Sequence, residues 1–245
     1  MRNGIILAGG TGSRLFPLTQ VVNKHLLGVN GKFIIDYPIN TLKSLGCEDV
    51  TVILGGAHYS QIVGYLGDGS RYGLNFNYVY QAEPKGIAHG IALCKRFVYD
   101  DADFSVILGD NIFEKPLRWN NPKWKTNPRA QIMLADHHDL KRFGVATLDD
   151  KDEIIKLEEK PKELDPDHKQ MAISGLYLFT PQYFEFFEQL TPSARGEYEI
   201  TDIIRLYLEN HNLAYTKIDG LWSDAGTHES IAYVNDYFFN KAKNG

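Results

Sequence analysis

The chain has little of several things. It has only two cysteines, Cys47 and Cys94, among 245 residues. Neither stands in C-x-x-C or Cys/His zinc spacing, and both lie in apolar segments, so they read as buried free thiols. No apolar run approaches the roughly 18 residues of a membrane span, and Met1-Arg2-Asn3 leads straight into a strand without the pattern of a signal peptide. A cytoplasmic protein with no membrane partner is expected. Positive charge is not in excess either. With 26 Lys and Arg against 31 Asp and Glu, the net charge is −5. That excludes a broad basic surface and bulk nucleic-acid binding. Internal repeats and low-complexity tracts are absent. The 43% hydrophobic content is ordinary for a globular chain with a large core.

What is present begins at the first turn. Ile5-Ile6-Leu7-Ala8 is apolar on both faces, as a short buried strand is, and it runs into Gly9-Gly10-Thr11-Gly12-Ser13-Arg14. Glycines turn sharply and let backbone N–H groups close on a ligand. Successive N–H groups in such a turn form an anion hollow. Arg14 adds a permanently charged fork that matches phosphate oxygens. The loop lacks the third glycine of a dinucleotide fingerprint and the Lys-Ser/Thr pair of a Walker loop. On these residues alone, a polyphosphate site and a plain tight turn both stand.

Strands and helices alternate through the first half: strands over 50–54, 76–80 and 104–108, helices over 33–45, 60–66 and 86–97. Gly46 suits the residue just past a helix end. The polar stretch 116–129 reads as a loop or capping helix. The second half is richer in strands (131–135, 144–148, 154–157, 172–179), with helices over 181–190, 200–210 and 228–243. The charged stretch 160–169, with Pro161 and Pro166, suits a solvated hairpin loop. The alternation argues a mostly parallel α/β sheet.

Asp110 follows a buried strand, where open α/β sheets bind ligands, and Asp224 falls in a turn before the last helix. An aspartate in a turn commonly serves as a cap, but two together offer hard oxygen ligands for Mg²⁺. Gln81 offers both a donor and an acceptor, and Gly86 can bring backbone close to a ligand; a polar strand-to-helix loop explains the same stretch. Glu158-Glu159-Lys160-Pro161 reads as a charged strand end. His137-His138-Asp139 lacks a third ligand and reads as surface loop.

Several ordered motifs resemble the sugar nucleotidyltransferases, from Gly4 to about Asn235. They are Leu7-Ala8-Gly9-Gly10-Thr11-Gly12-Ser13-Arg14-Leu15 with Pro17-Leu18-Thr19 and Lys24; Leu108-Gly109-Asp110; Arg142-Phe143-Gly144-Val145; Glu158-Glu159-Lys160-Pro161; Ile173-Ser174-Gly175-Leu176-Tyr177; Ser193 to Asp202; and Trp222-Ser223-Asp224-Ala225-Gly226-Thr227. The resemblance implies a Rossmann-like mixed, mainly parallel sheet flanked by helices, with a strand-rich sugar-binding portion in the second half. It implies a single domain over 1–245, with 1–115 mainly for nucleotide and 116–245 mainly for sugar.

By the same resemblance, Leu7, Gly9, Gly10, Thr11, Gly12 and Ser13 wrap a nucleoside triphosphate, and Gln81, Pro84 and Gly86 read its base. Gly144, Glu159, Ile173, Tyr177 and Trp222 face the sugar, while Lys160 and Arg195 take its phosphate. Asp110 and Asp224 hold Mg²⁺. Arg14, Lys24, Asp110 and Lys160 carry the catalysis, in which a sugar-phosphate oxygen attacks the α-phosphorus and pyrophosphate leaves.

The nearest likeness is to members that join dTTP to α-D-glucose 1-phosphate. UTP, another hexose 1-phosphate, or a non-catalytic nucleotide-sugar-binding subunit are the alternatives. A homo-oligomer (dimer or tetramer) is implied, with the aromatic stripe Tyr233, Tyr237, Phe238 and Phe239 as either its contact face or core. Longer members carry an extension with an allosteric nucleotide site; the end at Gly245 implies reduced regulation. Leu27-Gly28-Val29 and Lys32-Phe33 replace two family prolines, which is expected to loosen the loop next to Lys24, and His89 replaces a common glutamine.

Overall fold

The computed structural model describes residues 2–119 and 129–244; the expected loop or capping helix over 116–129 lies mostly outside them. In chain order the strands are β1 Arg2–Ala8, β2 Gly28–Val29, β3 Lys32–Phe33, β4 Cys47–Leu54, β5 Asn75–Tyr80, β6 Phe104–Leu108, β7 Asn111–Phe113, β8 Ala130–Ala135, β9 Gly144–Leu148, β10 Ile154–Glu159, β11 Lys169–Phe179, β12 Leu213–Lys217 and β13 Trp222–Asp224. The α-helices are α1 Asp36–Ser44, α2 Tyr59–Leu66, α3 Ile87–Ala92, α4 Gln182–Phe187, α5 Ile200–Glu209 and α6 His228–Asn244. Among the described residues, no helix is long and apolar enough to cross a membrane.

Nine strands form one mixed sheet in the path β10-β9-β11-β6-β1-β4-β5, with β8 joined to β11 and β12 to β8. β6, β1, β4 and β5 run parallel. This is the mainly parallel centre that the alternation predicts. Along β1 the side chains alternate between two cores. Ile5 packs on the face that carries Ile91, Phe104, Tyr183 and Ile203, while Ile6 and Ala8 pack on the face that carries Ile39, Leu42 and Ile62. Both faces are therefore covered, as a parallel sheet requires. Each fully buried Ile or Leu contributes about 1.5–3 kcal/mol.

β11 is the joint between the two halves. Its first residues, Lys169–Ala172, pair antiparallel with β9, and its last, Leu176–Phe179, pair antiparallel with β6. The register against β8 breaks between Ile173 and Tyr177. β9 and β6 thus part company on one edge of β11, and a cleft opens between them at the carboxyl end of β6.

Three local expectations change. The helix over 86–97 is only α3 followed by a 3₁₀ turn, Lys95–Phe97. The stretch 160–169 does not close a hairpin, because β10 and β11 both pair with β9 rather than with each other; the loop has to cross that strand. The segment after Lys24, where the two prolines are missing, is not an irregular loop. β2 and β3 close a two-residue hairpin through Asn30 and Gly31, whose φ values are 48° and 74°. Asn-Gly is the pair that such a turn favours. Cys47 and Cys94 are both buried.

Candidate active site

The glycine loop leaves β1 and lies against the end of β4. A Cβ on Gly56 would stand 3.1 Å from the carbonyl oxygen of Gly10. Gly12 has φ 65° and is crowded by Thr19, whose hydroxyl donates to its carbonyl at 2.9 Å. Leu15, fully buried, anchors the 3₁₀ turn that follows. The loop is therefore held at both ends, while Gly10, Thr11, Ser13 and Arg14 between them stay exposed.

Asp110 follows β6. Its neighbour Asn111 begins β7, which pairs with β13 so that Asn111 faces Asp224, and the Ala225 amide donates to the Asp110 carbonyl at 2.7 Å. Asp224 therefore ends a strand rather than lying in a free turn, and that strand brings two aspartates 114 residues apart to one point. A Cβ on Gly226 would stand 3.3 Å from Asp224 Oδ2, 3.6 Å from Asp110 Oδ2 and 3.1 Å from Arg14. The space between the two carboxylates and the guanidinium exists because this residue is glycine.

The two carboxylates differ. Lys24 Nζ lies 2.6 Å from Asp110 Oδ2, and Asn111 donates to Oδ1 at 3.1 Å. Burial works against the Asp110 charge, yet Lys24, His25 and Asn111 together hold its carboxyl far below the ordinary range. Asp224 pairs with Arg142 at 2.8 Å. Burial and the Asp110 charge push Asp224 up to about 6 against the pull of Arg142, Arg14 and Lys24. Among the described residues nothing bonds its buried Oδ1. Two carboxylates sharing one hollow, with an oxygen left unsatisfied, suit a hard cation that also takes phosphate oxygens and water.

Asp110 and Asp224 form one wall of a cavity of about 480 Å³ that Arg14, Gly144, Glu159, Lys160, Ile173, Tyr177, Arg195 and Trp222 also line. Its size is that of a small-molecule site. At the far end Thr201 Oγ donates to Glu159 Oε2 at 2.6 Å, and Arg195 reaches Glu159 at 3.5 Å. Burial raises the Glu159 carboxyl, while the Thr201 bond and Lys160 oppose the rise. Arg195 is clamped at 2.8 Å on both oxygens of buried Glu199, and Ser193 donates to the same carboxylate at 2.7 Å. Lys160 adopts φ 45°, unusual for a non-glycine, with its amide bonded to the Phe143 carbonyl at 2.9 Å. Gly144 leaves room for this network, because a Cβ there would fall 2.8 Å from Thr201 Oγ1 and 3.3 Å from Glu159 Oε2.

Leu7, Gly9, Gly10, Thr11, Gly12 and Ser13 do not line this cavity; they lie beside it, and a Cβ on Gly9 would stand 3.9 Å from Gln81 Oε1. Pro84 is exposed. Gly86 has φ 94°, and a Cβ on it would meet the Tyr198 carbonyl at 2.6 Å. The Lys85 carbonyl accepts from the Tyr198 amide at 2.8 Å, which ties the Gln81–Gly86 loop to the segment that carries Arg195. His137 and His138 stack at 4.4 Å, and His137 packs edge-on against Trp222.

Sequence reasoning gave no role to Arg142, Asn111 or Glu199. Asn111 accepts from Trp222 Nε1 at 2.7 Å and from the Gly175 amide at 2.9 Å, so one amide holds β11, β7 and β13 together. An asparagine directly after the aspartate was visible, but nothing local marked its partners.

A nucleotidyl transferase family model matches residues 3–240. This chain belongs to the nucleotidyl transferase family. It is similar to the low-salt glycan biosynthesis nucleotidyltransferase Agl11 of Haloferax volcanii, at 38% identity over 95% of this chain and 64% of that protein. It is also similar to the glucose-1-phosphate thymidylyltransferase of Streptomyces griseus, at 36% identity over 94% of this chain and 64% of that one. The chain thus spans just under two thirds of either relative. Its fold superimposes on a crystal structure from Bacillus anthracis, provisionally named a glucose-1-phosphate thymidylyltransferase and complexed with sucrose. The TM-score is 0.88 and the identity 42%, over 97% of this chain and 95% of that one.

Proposed function

We propose that this nucleotidyl transferase family member transfers a thymidylyl group from dTTP to α-D-glucose 1-phosphate, releasing dTDP-glucose and pyrophosphate. The observation that carries the reading is the single cavity in which Arg14, Asp110 and Asp224 stand at one end and Glu159, Lys160 and Arg195 at the other. Cations at both ends of one cleft suit two mutually repelling anions, a triphosphate and a sugar phosphate, held face to face.

In the reaction a phosphate oxygen of the sugar phosphate bonds to the α-phosphorus in line, and the bond to the β-phosphate oxygen breaks. The attacking oxygen is already anionic near neutrality, so no protein base is required; positioning and charge neutralisation carry the rate. Arg14, on the exposed loop, meets the leaving pyrophosphate. Lys24 serves the nucleotide phosphates, and in the free protein its charge rests on Asp110. Lys160 and Arg195 hold the sugar phosphate. Glu159, kept in place by Thr201, accepts from sugar hydroxyls, and Tyr177 and Trp222 wall the ring. The Asp110–Asp224 pair would hold Mg²⁺, which when bound supplies further positive charge at the reacting phosphate. A cytoplasmic location and a homo-oligomer belong to the same reading. The second is supported by Tyr233 and Phe239, each 57% exposed, and sedimentation tests it.

The decisive experiment is pyrophosphate release across dTTP, UTP, CTP, ATP and GTP crossed with several hexose 1-phosphates. We expect the highest kcat/KM with dTTP and glucose 1-phosphate. A maximum with UTP or another hexose would move the reading within the same chemistry. Silence across the grid with tight nucleotide binding would replace it with a binding subunit.

A further inference from the structure

Gln81 is a glutamine whose orientation can be deduced. Its Nε2 lies 3.1 Å from the Gly86 carbonyl oxygen, and a carbonyl oxygen only accepts, so the amide nitrogen must face it. The same Nε2 lies 2.9 Å from His89 Nδ1. Both N–H groups of the amide are then used, provided that His89 Nδ1 is unprotonated and accepts. Oε1 is left facing the glycine loop, between the Cβ positions of Gly9 at 3.9 Å and Gly90 at 3.5 Å, and among the described residues nothing donates to it.

We propose that His89 is a positioning residue that locks the Gln81 amide with its oxygen toward the nucleotide base, and so selects pyrimidines that carry an N3–H, thymine and uracil, over cytosine. This rests on the nucleotide reading above. Cytosine presents an acceptor at N3, which would meet the Gln81 oxygen lone pair to lone pair. With His89 replaced by an apolar side chain, the amide keeps only the Gly86 carbonyl and turns more readily, so the two ring types become more nearly equal. The imidazole is itself held: it stacks on Tyr198 at 6.2 Å with planes 23° apart, and Phe187 packs at 6.4 Å. The charged groups that act on it are Lys85 and Glu83, paired at 2.7 Å. Burial first, then Lys85, lower its proton affinity below that of ordinary imidazole, against a smaller opposing pull from Glu83. The acceptor form therefore prevails near neutral pH.

The test is equilibrium binding of dTTP and CTP to the whole chain, with KM and kcat beside it. His89→Leu should weaken dTTP binding and shrink the dTTP:CTP ratio by about tenfold, the worth of one hydrogen bond, raising KM rather than lowering kcat. His89→Asn, whose Oδ1 falls near the site of Nδ1, should restore the ratio. A folded His89→Leu protein with the wild-type ratio would overturn the proposal, as would a His89→Asn protein that fails to restore it. If His89→Leu does not fold, His89→Ala gives the same comparison. A wild type that prefers CTP or a purine nucleotide would overturn the nucleotide reading itself, whatever the variants do.

Discussion

Between the glycine loop at one end of the cleft and the Glu159–Arg195 network at the other, the materials differ. The loop is backbone and glycine, largely exposed, with one cation, Arg14, and few side-chain bonds. The far end is a mesh of side chains in which Thr201, Glu159, Arg195, Glu199 and Ser193 are bonded in series. A polyphosphate can be held by repeated N–H groups because its oxygens are alike. A sugar phosphate presents hydroxyls in a fixed stereochemical order, and only rigid, separately placed side chains can discriminate among them. The Asp110–Asp224 pair sits at the junction, supplied by the two-stranded β7–β13 ribbon.

This contrast can be broken at the junction first. Asp110→Asn removes the charge that Lys24 and the proposed cation share. We expect turnover to fall by about a thousandfold with the circular dichroism spectrum unchanged; near-normal activity with Mg²⁺ would remove Asp110 from the metal. Gly144→Ala strikes the mesh alone. Its Cβ would push on Thr201 and Glu159, so KM for the sugar phosphate should rise by about a hundredfold, as small misplacements do, with KM for the nucleotide nearly unchanged. Lys160→Ala should show the same selectivity. An equal effect on both substrates would mean that the two ends are not separable.

A third test concerns stability beneath the junction. His25 is fully buried. Burial, then the adjacent Lys24, depress it from 6.5 to about 3, with Asp110 opposing. Folded, it stays neutral down to that value, whereas the unfolded chain takes up the proton near 6.5. The unfolded state therefore binds more protons between the two values. Stability that is full above pH 6.5 is lost as pH falls, by at most about 1.4 kcal/mol per unit. Urea unfolding of His25→Gln across pH 4–7 should show a shallower acid loss than the wild type. An equal slope would mean that His25 is protonated when folded.

The smallest effect belongs to the loop. Gly12→Ala at φ 65° should cost about 1–2 kcal/mol of stability, read as a lowered urea midpoint. It should weaken nucleotide binding several-fold while sparing the sugar phosphate.

The loop was legible because all of its parts are contiguous: an apolar strand, glycines and a cation within fifteen residues. The parallel centre was legible because both-face burial leaves mostly apolar runs at 50–54 and 104–108, interrupted only by Thr51 and Ser105. The β7 and β13 strands were not, because three-residue strands carry no period of their own and exist only as each other's partners. The same holds for the hairpin that was expected at 160–169: β9 had to be known before β10 and β11 could be seen to flank it. Family motifs brought Glu159, Lys160 and Arg195 into view, but not the Glu199 clamp or the Asn111 amide that holds three strands together.

By itself, then, the sequence determined the glycine turn, the buried parallel strands and the cations and carboxylates available for chemistry, since these depend on neighbours in the chain. Only the tertiary structure decided that Asp110 meets Asp224, that Arg142 rather than Lys24 partners the second of them, and that His89 turns the amide of Gln81. Each of those depends on which strands pair and which helices pack, and pairing energy is spread over contacts far apart in the chain.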